Sequence, residues 1–243
     1  MLKDTIRYEF LTKSHACLDQ AIECLTHTFV GIDIAGKYIQ EPMVACLGMS
    51  YEEFHNFTEN YMLSVVDQGY CAVAIDKDVV VAVQAFDLDV IVSNVDTSKD
   101  SLSSMDIIMT VLDELNKRFM GDYKKQYGET IHDGEVLNLT MFGTKAEHGR
   151  HEIFDHLVNM ALNKAASQGV KVALALSTNP KSARLLERHC GMYKYKDIEG
   201  NNIVHIYKDN KYLNSIPSSV AEGTYVIFRQ LNDYDSNDGN HCM

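Results

Sequence analysis

Prolines are scarce, three in 243 residues, which excludes proline-rich linkers and collagen-like segments. No apolar run approaches the ~20 residues that a membrane helix needs, and the most apolar stretch, 79–86, is far shorter. The first ten residues carry Lys3, Asp4, Arg7 and Glu9 around no apolar core, so no signal peptide is expected there. Basic residues are outnumbered, 22 Lys and Arg against 34 Asp and Glu, for a net charge of −12. Such a surface repels phosphate backbones, which argues against nucleic-acid partners, and it suits cationic ligands such as amines. C-x-x-C pairs are absent: Cys17, Cys24, Cys46, Cys71, Cys190 and Cys242 are scattered, the first four in apolar stretches. They read as reduced core residues of a cytoplasmic chain.

What is present is an ordinary globular composition, 46% hydrophobic and 23% charged, long enough to bury a sizeable core. Alternation over 6–10 predicts a first strand. Cys17, Leu18, Ala21, Ile22, Leu25 and Phe29 predict a helix over 15–30, capped by Ser14, followed by a loop ending at Gln40-Glu41-Pro42-Met43. Ser50 and Glu53 form a capping-box pattern opening a helix to about Val66. Two β-rich runs, 70–75 and 79–88, flank Asp76-Lys77-Asp78 and predict a hairpin. A polar loop over 90–101 precedes a long amphipathic helix over 105–123. Then come a strand at 136–142, a helix over 150–168 with Ile153, Phe154, Leu157, Val158, Ala161, Leu162 and Ala165 on one face, and a doubly buried strand at 170–176. Asn179 and Pro180 open a short helix to His189, and strands near 192–197 and 224–230 finish the fold. The order is α/β, with an antiparallel first half and a late β-α-β unit. We expect a single domain over 1–231 and a polar tail over 232–243.

Four places carry candidate chemistry. His151-Glu152-Ile153-Phe154-Asp155-His156 looks like the zinc motif H-E-x-x-H with one residue too many. At ~100° per residue the two histidines point about 140° apart, so no metal site is expected. Cys190 beside His189 lacks any visible activating group and reads as a packed cysteine. The strand-loop-helix passage through Arg150 and His151 is a candidate anion site, because free N–H groups and the helix dipole meet there; an ordinary connection is the plainer alternative. Glu41 sits among Ile39, Met43, Val44 and Leu47, where burial would raise its pKa and make it a base; a surface carboxylate is the plainer alternative.

Taken in order, several passages resemble the GNAT superfamily of acyl-CoA-dependent N-acetyltransferases. The closest branch is that of the invertebrate arylalkylamine (dopamine-type) enzymes. Glu41-Pro42-Met43 with Leu47-Gly48-Met49 is similar to that branch's E-P-L and L-G-[LM]. The hairpin over 70–85 and the helix over 105–119 sit where the branch has its central hairpin and an inserted helix. Asn179-Pro180-Lys181-Ser182, ending in Gly191-Met192-Tyr193, resembles the family's N-x-x-S…G-F segment.

The resemblance implies an α/β GNAT fold, a mixed sheet of about seven strands flanked by helices. It also implies direct transfer from acetyl-CoA to a small amine of arylalkylamine or polyamine type, by a monomer or weak homodimer without a metal. Glu41 takes the place of the general base, with Ser182 and Thr178 as hydroxyls assisting the thiolate or a proton relay. The implied cofactor positions are Phe142, Thr144, Gly149, Arg150, His151, Glu152, Ile153, Phe154 and Asn179. The family's tyrosine acid would fall at Leu186 or Glu187, so Tyr193 and Tyr195 are substitutes to consider. Walls of the amine pocket are implied at 31–50 and 190–225. One departure bears on affinity: both glycines of the family's R/Q-x-x-G-x-G/A loop are replaced, by Glu152 and Phe154. The alternative reading is therefore a GNAT-fold binding or interaction module without catalysis.

Overall fold

The computed structural model describes residues 6–34, 36–88, 102–149 and 151–231, with backbone alone at Ile34 and His151. The loop expected at 90–101, Arg150 and the tail over 232–243 lie outside the described residues.

An eight-stranded mixed sheet forms the middle layer. Strand β1 (Arg7–Phe10) pairs antiparallel with β4 (Ala72–Asp76), which turns into β5 (Val79–Asp87). Lys77 and Asp78 both have positive φ, 48° and 66°, as the two central residues of a type I′ turn require. β5 pairs antiparallel with β6 (Val136–Thr144), and β6 runs parallel to β7 (Val172–Ser177). β10 (Gly223–Gln230) follows on β7 and holds both β8 (Tyr193–Lys194) and β9 (Val204–Ile206). The strands expected at 170–176 and 192–197 are thus shifted or shortened. A small hairpin, β2 (Ile32–Ile34) with β3 (Lys37–Ile39), replaces most of the expected loop after the first helix.

Helices cover both faces. On one side, α1 (Leu18–Val30), α3 (Tyr51–Val65) and α4 (Ser104–Tyr127) bury Ile22, Leu25, Phe54, Met62, Leu115 and Phe119 against Val73, Ala85, Met141, Leu174 and Phe228. On the other, α5 (His151–Ser167) and α6 (Pro180–His189) bury Phe154, Val158, Leu162 and Leu186 against Leu137, Leu139, Ala173 and Ile227. β7 alternates between these two cores, which is why its sequence is apolar throughout.

Local signals set most helix ends. Ser50 and Glu53 exchange both bonds of a capping box at the start of α3. Asn179 accepts from Lys181 N–H at 2.9 Å, with Pro180 at the first position of α6. Ser14 does not cap α1: a turn intervenes, and the helix starts after Cys17 with no side-chain cap. The short helix α2 (Pro42–Cys46) is capped by Glu41 itself. At Gly143, α1 crosses β6 so closely that a Cβ would lie 2.8 Å from Thr28 Oγ1 and 3.2 Å from the Cys24 carbonyl oxygen.

Candidate active site

Strands β6 and β7 part where both still have several residues to run. Their register covers three pairs, Val136 with Val172, Leu137 with Ala173 and Asn138 with Leu174, and then ends. Just there β6 bulges. Ala85 opposes Met141 and Asp87 opposes Asn138, so Leu139 and Thr140 stand opposite Phe86 alone. A gap of about 30 Å³ between the diverging strands is lined by Leu112, Asn138, Leu139, Thr140, Leu174 and Leu176.

Glu41 lies within reach of Thr178, the residue that directly follows β7 (Val172–Ser177). Its backbone N–H donates to Phe29 O at the end of α1, and Val44 N–H donates to its Oε2 at 2.7 Å. Pro42 favours the extended conformation observed at Glu41, with ψ 133°. The residue is 8% exposed, and Oε1 is buried with no hydrogen-bond partner. Burial pushes its pKa from 4.5 up to about 7, against the opposing pull of the Val44 amide, the Thr178 hydroxyl and the Met43 amide. The Thr178 hydroxyl is near enough to act on the carboxylate, but it makes no hydrogen bond of standard geometry that satisfies Oε1.

Thr178 directly follows β7 and is held from behind by Tyr207, whose hydroxyl donates to the Thr178 carbonyl at 3.0 Å. A hydroxyl has one proton to give, so the bond between Tyr207 and Thr224 Oγ1 (2.9 Å) has Thr224 as its donor. Burial foremost, and then the Glu41 charge, raise the Tyr207 pKa, so the phenol stays neutral. Tyr207 and Thr224 have no counterpart in the sequence reading, because no local pattern marks a tyrosine that reaches a strand 29 residues earlier.

The structure therefore brings Glu41 and Thr178 together. The Ser182 hydroxyl is engaged locally: it donates to Asn179 O at 2.8 Å and bonds Ser177 Oγ at 3.0 Å, as a hydroxyl at a helix terminus does. Tyr195 is buried and donates to Asp122 on α4, while Tyr193 lies exposed. Cys190 is buried with its thiol pushed up to about 12, which leaves no thiolate near neutrality.

Around the start of α5, the implied cofactor positions divide by direction. Thr144 Oγ1 is turned onto the backbone carbonyls of Val81, Lys145 and His148. Gly149 ends a short 3₁₀ turn. Ile153 and Phe154 already belong to the helix and are buried; the Phe154 ring meets Phe142 edge-on, 4.7 Å between centroids. Glu152 is exposed on the first turn. His156 stacks on Tyr8, 3.8 Å between ring centroids. Among the described residues no group of three or more His, Cys, Asp or Glu is placed to hold a metal ion, and no helix is long and apolar enough to cross a membrane.

A second, larger feature lies alongside α2. A groove of about 360 Å³ runs between Gln40, Pro42, Ala45 and Cys46 on one wall and Ser215, Ile216, Pro217 and Val220 on the other. These walls come from the two segments that the resemblance implied.

No protein-family model matches the chain, and no curated protein matches it in sequence. Solved structures do match in fold. Arylalkylamine N-acetyltransferase 2 from Aedes aegypti superposes with a TM-score of 0.65 at 18% identity, over 94% of this chain and 100% of that one. A putative arylalkylamine N-acetyltransferase 7 from the yellow fever mosquito gives 0.68 at 14% identity, over 93% and 88%. A Drosophila melanogaster polyamine N-acetyltransferase that forms N-acetylagmatine gives 0.60 at 17% identity, over 92% and 97%. The likeness is one of fold: the mixed sheet flanked by helices is the GNAT acyl-CoA fold.

Proposed function

We propose that the protein is an acetyl-CoA-dependent N-acetyltransferase acting on a small primary amine, with Glu41 as the general base. The observation that carries this reading is a buried carboxylate with one unpartnered oxygen, its pKa pushed up by burial, beside Thr178 at the end of β7, the strand that parts from β6. An alkylamine with a pKa near ~10.4 is ~3 units above neutrality, and its deprotonation costs about 4 kcal/mol. A positioned base whose pKa matches the working pH offsets part of that, commonly by 10²–10⁴-fold in rate. Oε1 takes a proton from the ammonium, the freed nitrogen lone pair bonds the acetyl carbon, and the carbon–sulfur bond breaks; the second nitrogen proton goes to the departing sulfur, which leaves the amide and the CoA thiol. Thr178 steadies the ionised carboxylate. The backbone edges of β6 and β7 beyond Asn138 and Leu174, released from pairing with each other, receive the pantetheine arm, and the first-turn amides of α5 face the diphosphate. The groove beside α2 takes the body of the amine. The acetyltransferase names of the similar structures, with arylalkylamines and polyamines among their acceptors, support the same class.

A second reading, a binding module without catalysis, is favoured by Glu152, whose carboxylate on the first turn of α5 competes with any anion docking there. Calorimetry of CoA and acetyl-CoA binding, followed by an amine panel, separates the two. Micromolar binding with turnover supports the enzyme. Absence of binding at millimolar ligand refutes it.

A further inference from the structure

Asp87, the last residue of β5, is buried at 4% exposure among apolar strands. Among the described residues it is the one buried carboxylate on the sheet. Three donors converge on it from two elements. Asn138 Nδ2 donates to Oδ1 at 2.9 Å and Thr140 Oγ1 to Oδ2 at 2.8 Å, and the Tyr61 hydroxyl on α3 also donates to Oδ2. Burial foremost, and then the Asp87 charge, push the Tyr61 pKa well above its ordinary value, so the phenol remains a donor. Asn138 and Thr140 are the residues on either side of Leu139, so one carboxylate clasps both ends of the bulge. Both also line the gap where β6 and β7 part. A bulge leaves an unpaired backbone whose direction is free unless something fixes it. Charge-assisted bonds are the stronger kind, and three of them here hold that direction.

We propose that Asp87 is a positioning residue for the thioester: through Asn138, Thr140 and Tyr61 it locks the bulge of β6 so that the backbone at Leu139 and Thr140 faces the gap between β6 and β7. This rests on the acetyltransferase reading for what lies in the gap, though not for the lock itself. Asp87 touches no reacting atom. An amide at this place has one acceptor oxygen for three donors and would release at least one side of the bulge.

The test compares two variants in the full chain with wild type. Asp87→Asn is expected to lower kcat at least tenfold while the CoA dissociation constant stays within threefold, because the diphosphate is held elsewhere. Thr140→Val, close to isosteric, is expected to lower kcat about three- to tenfold with CoA affinity unchanged. Hydrogen exchange of the 139–141 amides should quicken in both, with 136–138 unaffected. A loss of CoA affinity as large as the loss of kcat, kcat within twofold of wild type in both variants, or unchanged exchange at 139–141 would overturn the proposal. If Asp87→Asn does not fold, Thr140→Val decides alone. A wild-type chain that binds no CoA and acetylates no amine refutes the acetyltransferase reading, and the exchange data then judge the lock by itself.

Discussion

Glu41→Gln should make the protein more stable and less active at the same pH. The amide retains an oxygen that accepts the Val44 N–H, so the cap of α2 survives and the substitution isolates the charge. Burial lifts the carboxyl from 4.5 to about 7. Between those values the folded protein binds a proton that the unfolded chain has already lost, so ionisation opposes folding as pH rises. Below 4.5 the group is neutral in both states and opposes nothing; above about 7 the full penalty is present. At about 1.36 kcal/mol per pKa unit, the interval amounts to about 3 kcal/mol. For a chain of this size each kcal/mol moves Tm by about 2–4 °C, so the variant should melt about 6–12 °C higher at pH 8 and near wild type at pH 4. Scanning calorimetry across that range reads the effect. In parallel, kcat/KM at pH 8 should fall tenfold or more, and the wild-type acid limb near 7 should vanish. A Tm difference that ignores pH, or a variant less stable at pH 8, would refute a buried, ionisable Glu41.

Other substitutions probe the surroundings. Tyr207→Phe removes the donor to the Thr178 carbonyl and should cost about 1–3 kcal/mol in urea unfolding. Because the Thr178 hydroxyl favours the charged form of Glu41, loosening it should also shift the acid limb of kcat/KM to higher pH. Phe154→Ala should cost about 3–5 kcal/mol, as for a core aromatic; a change under about 1 kcal/mol would place the ring outside the core. Glu152→Gln should tighten CoA binding about two- to fivefold at low salt, and calorimetry showing no gain would separate Glu152 from the anion site.

The parts of this architecture written in short-range chemistry could be read from the sequence. The capping box at Ser50, the turn at Lys77 and Asp78, and the Asn179–Pro180 helix start each depend on neighbours within four residues. The hairpin β2–β3 and the bridge of β9 to β10 escaped because three-residue strands leave no periodic signal and their pairing is decided by register. Glu41 was legible as a carboxylate in apolar company. Its unpartnered oxygen was not, since the groups around it, Thr178 137 positions on among them, are set by the tertiary fold. The buried Asp87 and the bulge it spans were invisible for a related reason. A lone aspartate at a strand end is usually a solvated turn residue, and only the opposing strand reveals three donors waiting for it.

Residues 152–154 carried two competing readings. Periodicity assigned Ile153 and Phe154 to the buried face of a helix, while the motif frame set Phe154 and Glu152 on the glycines of a phosphate loop. In the fold the two coincide. α5 starts at His151, early enough that all three residues are helical, and both apolar side chains turn toward the sheet. Glycine matters in such a loop when a side chain would stand between the backbone amides and the anion. A side chain directed into the core does not stand there, so Phe154 removes no amide from the first turn. The first-turn N–H groups lack intrahelical acceptors whatever their side chains. On the proposed acetyltransferase reading, the charge that an anion at this turn would meet is that of Glu152, on its exposed side, while Phe154 packs against Phe142.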